Sequence, residues 1–62
     1  MPYIAMGVPK RDIETKRKLV AGVTNLIAEL YGIRKEAITI VITESPSENV
    51  SVGGILLVDK QH

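Results

Sequence analysis

The chain has 62 residues, a formal net charge of +1, 45% hydrophobic residues, no cysteine and a single histidine, His62. A domain of this length buries only about 60% of the surface that its unfolded chain exposes, so its core is marginal unless something reinforces it. Disulfides and thiolate zinc sites are excluded by the missing cysteines, and a lone histidine cannot form an imidazole cluster, which leaves self-association as the reinforcement.

Near-neutral charge gives little pull on a polyphosphate, and Tyr3 and Tyr31 are the only aromatics able to stack on bases, so nucleic acid is a poor partner. No stretch approaches the roughly 20 apolar residues needed to span a bilayer, and no basic-then-apolar leader is present. The expectation is a soluble cytoplasmic protein without membrane contact, which the cysteine-free composition fits.

Over residues 2–8, Ile4, Met6 and Val8 alternate with Tyr3, Ala5 and Gly7, the two-residue period of a strand. Pro9 then stops the ladder. Asp12 has the chemistry of a helix N-cap, its side chain able to accept from the first free helical amides. Beyond it Leu19, Val20, Val23, Leu26, Ile27, Leu30 and Tyr31 recur at helical spacing, with Lys16, Lys18, Asn25 and Glu29 mostly opposite. Gly32, free to take a positive φ, is the natural stop.

Residues 38–44 read as a second strand, with Ile38, Ile40 and Ile42 on one face and Thr39, Val41 and Thr43 on the other. Strand, helix and strand make a βαβ unit with parallel strands. The "SPSEN" segment is a loop, and two short apolar runs around Gly53 and Gly54 suggest a hairpin or an edge strand. The fold class is thus α/β (α+β), one domain over residues 1–62. One helix covers one face of a two-stranded sheet, so the other face needs a second copy.

Proline directly after Met1 has two uses. It suits the first residue of a strand, where a ladder donor is lost anyway. With Met1 removed, it also becomes a terminal secondary amine, a base that no other residue type supplies. Such an amine is mostly protonated near neutrality unless desolvation or a neighbouring cation lowers its pKa. Arg11, just ahead of a helix N-terminus, sits where positive charge is mildly unfavourable, which suggests a compensating use.

Met-Pro at the start, a βαβ core, "ITE" closing strand two and Gly-Gly near the C-terminus together resemble the 4-oxalocrotonate tautomerase family of the tautomerase superfamily. The resemblance spans nearly the whole chain. It implies a cofactor-independent isomerase, assembled commonly as a hexamer, that moves a proton between enol oxygen and carbon of a 2-hydroxydienoate or related enol acid. It gives the Pro2 amine the part of acid and base. Arg11 matches the family's arginine before the helix when one residue is absent from the preceding loop, and would bind a substrate carboxylate.

Other positions depart from the family pattern. A second arginine, on strand two, corresponds to Thr39, a pocket aromatic to Val50 and the glycine after it to Ser51. The backbone amide donor expected at the end of strand one falls on Pro9, which has none, or on Val8. The competing reading is a non-catalytic βαβ oligomerisation module that has lost its pocket. The Lys16–Lys18 run reads as a solvated helix face. Glu44 and Glu48 lack companions at metal-binding spacing, and no metal or other cofactor is expected.

Overall fold

The computed structural model describes residues 2–60. Its elements are β1 (Tyr3–Val8), α1 (Ile13–Tyr31), β2 (Thr39–Glu44) and a hairpin of β3 (Ser51–Val52) and β4 (Ile55–Leu56). Single 3₁₀ turns lie at Lys35–Ala37, Ser47–Asn49 and Leu57–Asp59. β1 and β2 pair in parallel, from Tyr3 opposite Thr39 to Val8 opposite Glu44, and β3 and β4 pair antiparallel. The expected βαβ unit is present, and the tail takes the hairpin form.

Both main strands begin one residue later than their hydrophobic patterns suggest. Pro2 has no amide proton to give and contributes only its carbonyl, which accepts from the Thr39 N–H at 3.1 Å. The Ile38 N–H donates instead to the Lys35 carbonyl at 3.0 Å, closing the turn before β2.

The helix ends as its glycine suggests. Gly32 adopts a left-handed conformation (φ 62°) and its N–H donates to the Ala28 carbonyl. At the other end, Asp12 occupies the N-cap position without capping a helical amide. Its Oδ1 accepts from the Thr15 hydroxyl at 2.6 Å, because the threonine on the first turn competes for the same oxygen.

Alternation along the strands divides the sheet into two faces. Ile4, Met6, Val8, Ile40, Ile42 and Glu44 are half-buried, whereas Tyr3, Ala5, Gly7, Thr39, Val41 and Thr43 are exposed. Along α1 the half-buried positions are Lys16, Leu19, Val20, Val23, Thr24, Ile27 and Ala28. Leu26, Leu30 and Tyr31, although part of the apolar stripe, stay 53%, 69% and 72% exposed. The stripe is wider than a two-stranded sheet can cover.

Among the described residues none is fully buried. The Cα radius of gyration is 15.0 Å, against about 11 Å for a compact domain of this length. Apolar side chains therefore lie open on the helix, on the outer sheet face and on the hairpin. At micromolar concentration, sedimentation velocity is expected to show the folded chain as a multiple of 6.8 kDa, because one copy closes no core. A cooperatively folded species of 6.8 kDa would overturn this expectation.

Candidate active site

The ladder separates the two candidate residues. Pro2 precedes the first pair of β1 and Arg11 follows the last, across a strand whose six residues span roughly 20 Å. Within one chain they do not share a cavity.

Pro2 is half-buried and lines a cavity of about 340 Å³ with Tyr3, Ile4, Ile27 and Tyr31. Ile27 and Tyr31 are four residues apart on α1 and reach it from the same helix face. Among the described residues no cationic side chain lines it. The hydrogen bond from Thr39 to the Pro2 carbonyl ties down a residue that would otherwise be free to fray, and it leaves the proline nitrogen outside the ladder. Met1, which governs the chemistry of that nitrogen, lies outside the described residues, as does His62. Thr39, where the family resemblance places a second arginine, is exposed at this end of the sheet.

At the far end, Arg11 is exposed in the loop between β1 and α1. Its Nη1 donates to the Lys10 carbonyl at 2.7 Å, and its main-chain N–H donates to Glu44 Oε2 at 3.2 Å. The same Glu44 oxygen meets Lys16 Nζ at 2.8 Å. Beside this loop lies a second cavity of about 390 Å³, whose walls include Val8, Pro9, Thr43, Val50 and Leu57. Val50 thus faces a cavity at the position where the resemblance expects an aromatic. Its carbonyl accepts from the Leu57 N–H at 2.8 Å, which extends the β3–β4 hairpin by one rung beyond the Ser51–Leu56 pair.

The structure alters the reading of two residues. Lys16 does not stand on a solvated helix face; it is half-buried and paired with Glu44 across the sheet end. Glu44, dismissed as a metal ligand, instead accepts from Lys16 and from the Arg11 amide. Nothing local in the sequence signals this pairing, since it depends on where the helix crosses the strand end. Arg17 does stay on the exposed helix surface, paired with Glu14 one turn earlier.

The Lys16 hydrogen bond, followed by the Arg11 amide, holds the Glu44 carboxyl below the ordinary glutamate pKa, with smaller help from the charges of Lys16 and Lys10. The Thr15 hydroxyl similarly lowers the Asp12 carboxyl. Neither residue stands in the Pro2 cavity.

The model of the Tautomerase enzyme family matches residues 2–60. Probable tautomerase K2 of Dickeya dadantii (strain 3937) is 30% identical over 56 residues, which cover 87% of this chain and 84% of that protein. The crystal structure of DmpI from Archaeoglobus fulgidus is similar at TM-score 0.85 and 46% identity, covering 94% of this chain and all of that one. YwhB, described as a homologue of 4-oxalocrotonate tautomerase, is similar at TM-score 0.88 and 33% identity, covering 97% of this chain and 100% of its own.

The Glu44 contacts carry a pH dependence of definite sign. A carboxyl whose folded pKa is depressed contributes stability that is complete above its unfolded pKa and is lost as pH falls through the folded value. Denaturation at fixed chain concentration is expected to show wild-type stability falling on acidification below about pH 4.3, and Glu44→Gln falling less. Parallel acid profiles for the two chains would contradict the assignment.

Proposed function

Because the chain belongs to the tautomerase superfamily, in its 4-oxalocrotonate-tautomerase-like group, and so is an isomerase of the tautomerase type, we propose that the amine of Pro2, freed by removal of Met1, shuttles the proton. The substrate is a 2-hydroxydienoate or a related enol acid, and Arg11 binds its carboxylate. The observation that carries this reading is the placing of Pro2. It is pinned by its carbonyl at the head of β1 and faces a cavity walled by Ile4, Ile27 and the two tyrosines.

The chemistry asks for a base that can also act as an acid. The Pro2 nitrogen takes the proton of the enol hydroxyl while electron density moves to the distal carbon, and the resulting ammonium then protonates that carbon. Apolar walls disfavour the ammonium form and bring the amine closer to neutrality. While Met1 is attached, the same nitrogen belongs to an amide whose lone pair is delocalised, so it has almost no basicity.

The guanidinium holds the carboxylate through paired hydrogen bonds and draws charge toward it as the dienolate forms. Since Pro2 and Arg11 lie at opposite ends of one ladder, a complete site takes Pro2 from one subunit and Arg11 from another. A closed homo-oligomer, with a hexamer favoured by the family resemblance, satisfies this need and covers the open sheet face together. Thr39 supplies no second guanidinium on strand two, which favours substrates with a single carboxylate.

Mass spectrometry can separate processed chain from chain retaining Met1, and an ultraviolet assay with 2-hydroxymuconate and phenylenolpyruvate can follow each form. Only processed chain is expected to turn over substrate, and Pro2→Ala in that form is expected to lose at least about tenfold in kcat/KM, its primary amine serving weakly. Equal turnover with Met1 attached would remove Pro2 from this role and favour a non-catalytic assembly module.

Arg11→Ala is expected to lower kcat/KM at least about tenfold, equivalent to roughly 1.4 kcal/mol, with Thr39→Ala doing much less. If the two residues act across subunits, Pro2→Ala and Arg11→Ala chains refolded together in equal amounts should regain activity at about a quarter of their sites. No gain over the separate variants would place both residues in one subunit's site or outside a shared one.

A further inference from the structure

The loop that carries Arg11 is short, exposed and lies between two regular elements. Among the described residues the arginine side chain bonds only to the neighbouring Lys10 carbonyl, at 2.7 Å, so that contact ties the loop to itself. Attachment to the sheet comes through the Arg11 main-chain N–H, which donates to Glu44 Oε2 at 3.2 Å. Lys16 on α1 holds that oxygen from the other side at 2.8 Å. One carboxylate oxygen therefore joins β2, the arginine loop and the first turns of the helix.

Glu44 is well placed for such a task. It is the last residue of β2, fixed in register opposite Val8, and its side chain lies on the helix-covered face. A group mounted on a strand holds its place better than one mounted on a loop. Its hydrogen bonds are charge-assisted, and hence stronger than those between neutral groups. The charged side chains acting on it are Lys16 and Lys10, whereas Arg11 reaches it through its uncharged main-chain N–H and keeps its guanidinium directed at the Lys10 carbonyl, so the ionised Glu44 holds the arginine loop without pairing with the Arg11 charge.

We propose that Glu44 is the positioning residue for Arg11, and that its carboxylate, held by Lys16, fixes the point from which the guanidinium meets the substrate carboxylate. This rests on the reading of Arg11 as the carboxylate-binding residue. Glu44 does not touch substrate. Its effect is on where the cation stands, so it bears on substrate binding and leaves proton transfer at Pro2 alone.

Two measurements on the assembled, processed protein test the proposal. In ¹⁵N-resolved NMR spectra the Arg11 amide is expected to titrate with the Glu44 carboxyl in wild type, and to lose that titration in Glu44→Gln. With phenylenolpyruvate as the probe, Glu44→Ala is expected to raise KM about tenfold and change kcat less than about twofold, and Glu44→Gln, which keeps a neutral acceptor, to recover most of the loss. In the Arg11→Ala background Glu44→Ala should have almost no further effect, as for residues acting through one another.

The outcomes separate the two levels of inference. An unchanged KM in Arg11→Ala overturns carboxylate binding by Arg11, and the positioning role falls with it. A raised KM in Arg11→Ala, combined with a Glu44→Ala effect that adds to it in full, overturns the positioning role alone. An Arg11 amide indifferent to the ionisation of Glu44 also overturns it, and that result needs no variant to fold.

Discussion

The parallel ladder between β1 and β2 governs the rest of the molecule. Parallel strands cannot be joined by a tight turn, so nineteen residues of α1 are used in the crossover and cover one face of the sheet. The two-residue period then decides which side chains meet the helix: Ile4, Met6 and Val8 from one strand, and Ile40, Ile42 and Glu44 from the other. It also decides that Tyr3 and Val41 do not. A two-stranded sheet has too little width to cover the helix stripe, and Leu30 and Tyr31 remain outside. The incomplete core is a direct consequence of this topology at this length.

The same ladder divides the chemistry. Its N-terminal end offers a proline beside an apolar cavity, where a neutral amine is favoured over an ammonium ion. Its C-terminal end carries the charged groups Lys10, Arg11, Lys16 and Glu44. A base needs the first environment and a carboxylate anchor needs the second, and a single small pocket could not easily supply both. Separation along the strand keeps Lys10, Arg11 and Lys16 away from the proline within one chain. In the proposed assembly the two environments meet only when copies pack together.

Much of the fold was legible in local pattern. Alternation in β1 and β2, the helical spacing from Leu19 onward and the glycine stop at Gly32 all appear as the residues suggest, since each depends on near neighbours. Pro2 and Arg11 were singled out before any geometry, one by its unusual chain position and the other by the family resemblance. What escaped was long-range. Lys16 read as part of a solvated helix face and Glu44 only as the end of strand two without metal-spaced companions, because their meeting depends on how the helix lies over the sheet, which no local period encodes. The Asp12 cap failed for the opposite reason, a competing hydroxyl only three residues away at Thr15.

The hairpin turn has a consequence for handedness. Gly53 and Gly54 both have positive φ, 62° and 83°, as the two central residues of a tight type I′ connection require. A Cβ at either position would meet nothing within 4 Å, so space is no obstacle to a side chain there. The obstacle is chirality: an L-alanine would be strained by about 1–2 kcal/mol in this region, whereas the mirror-image residue is at home in it. In a chain short enough for chemical synthesis, D-alanine at Gly53 or Gly54 would stiffen the arm by removing freedom from the unfolded chain, with no change to the ladder that places Pro2 and Arg11.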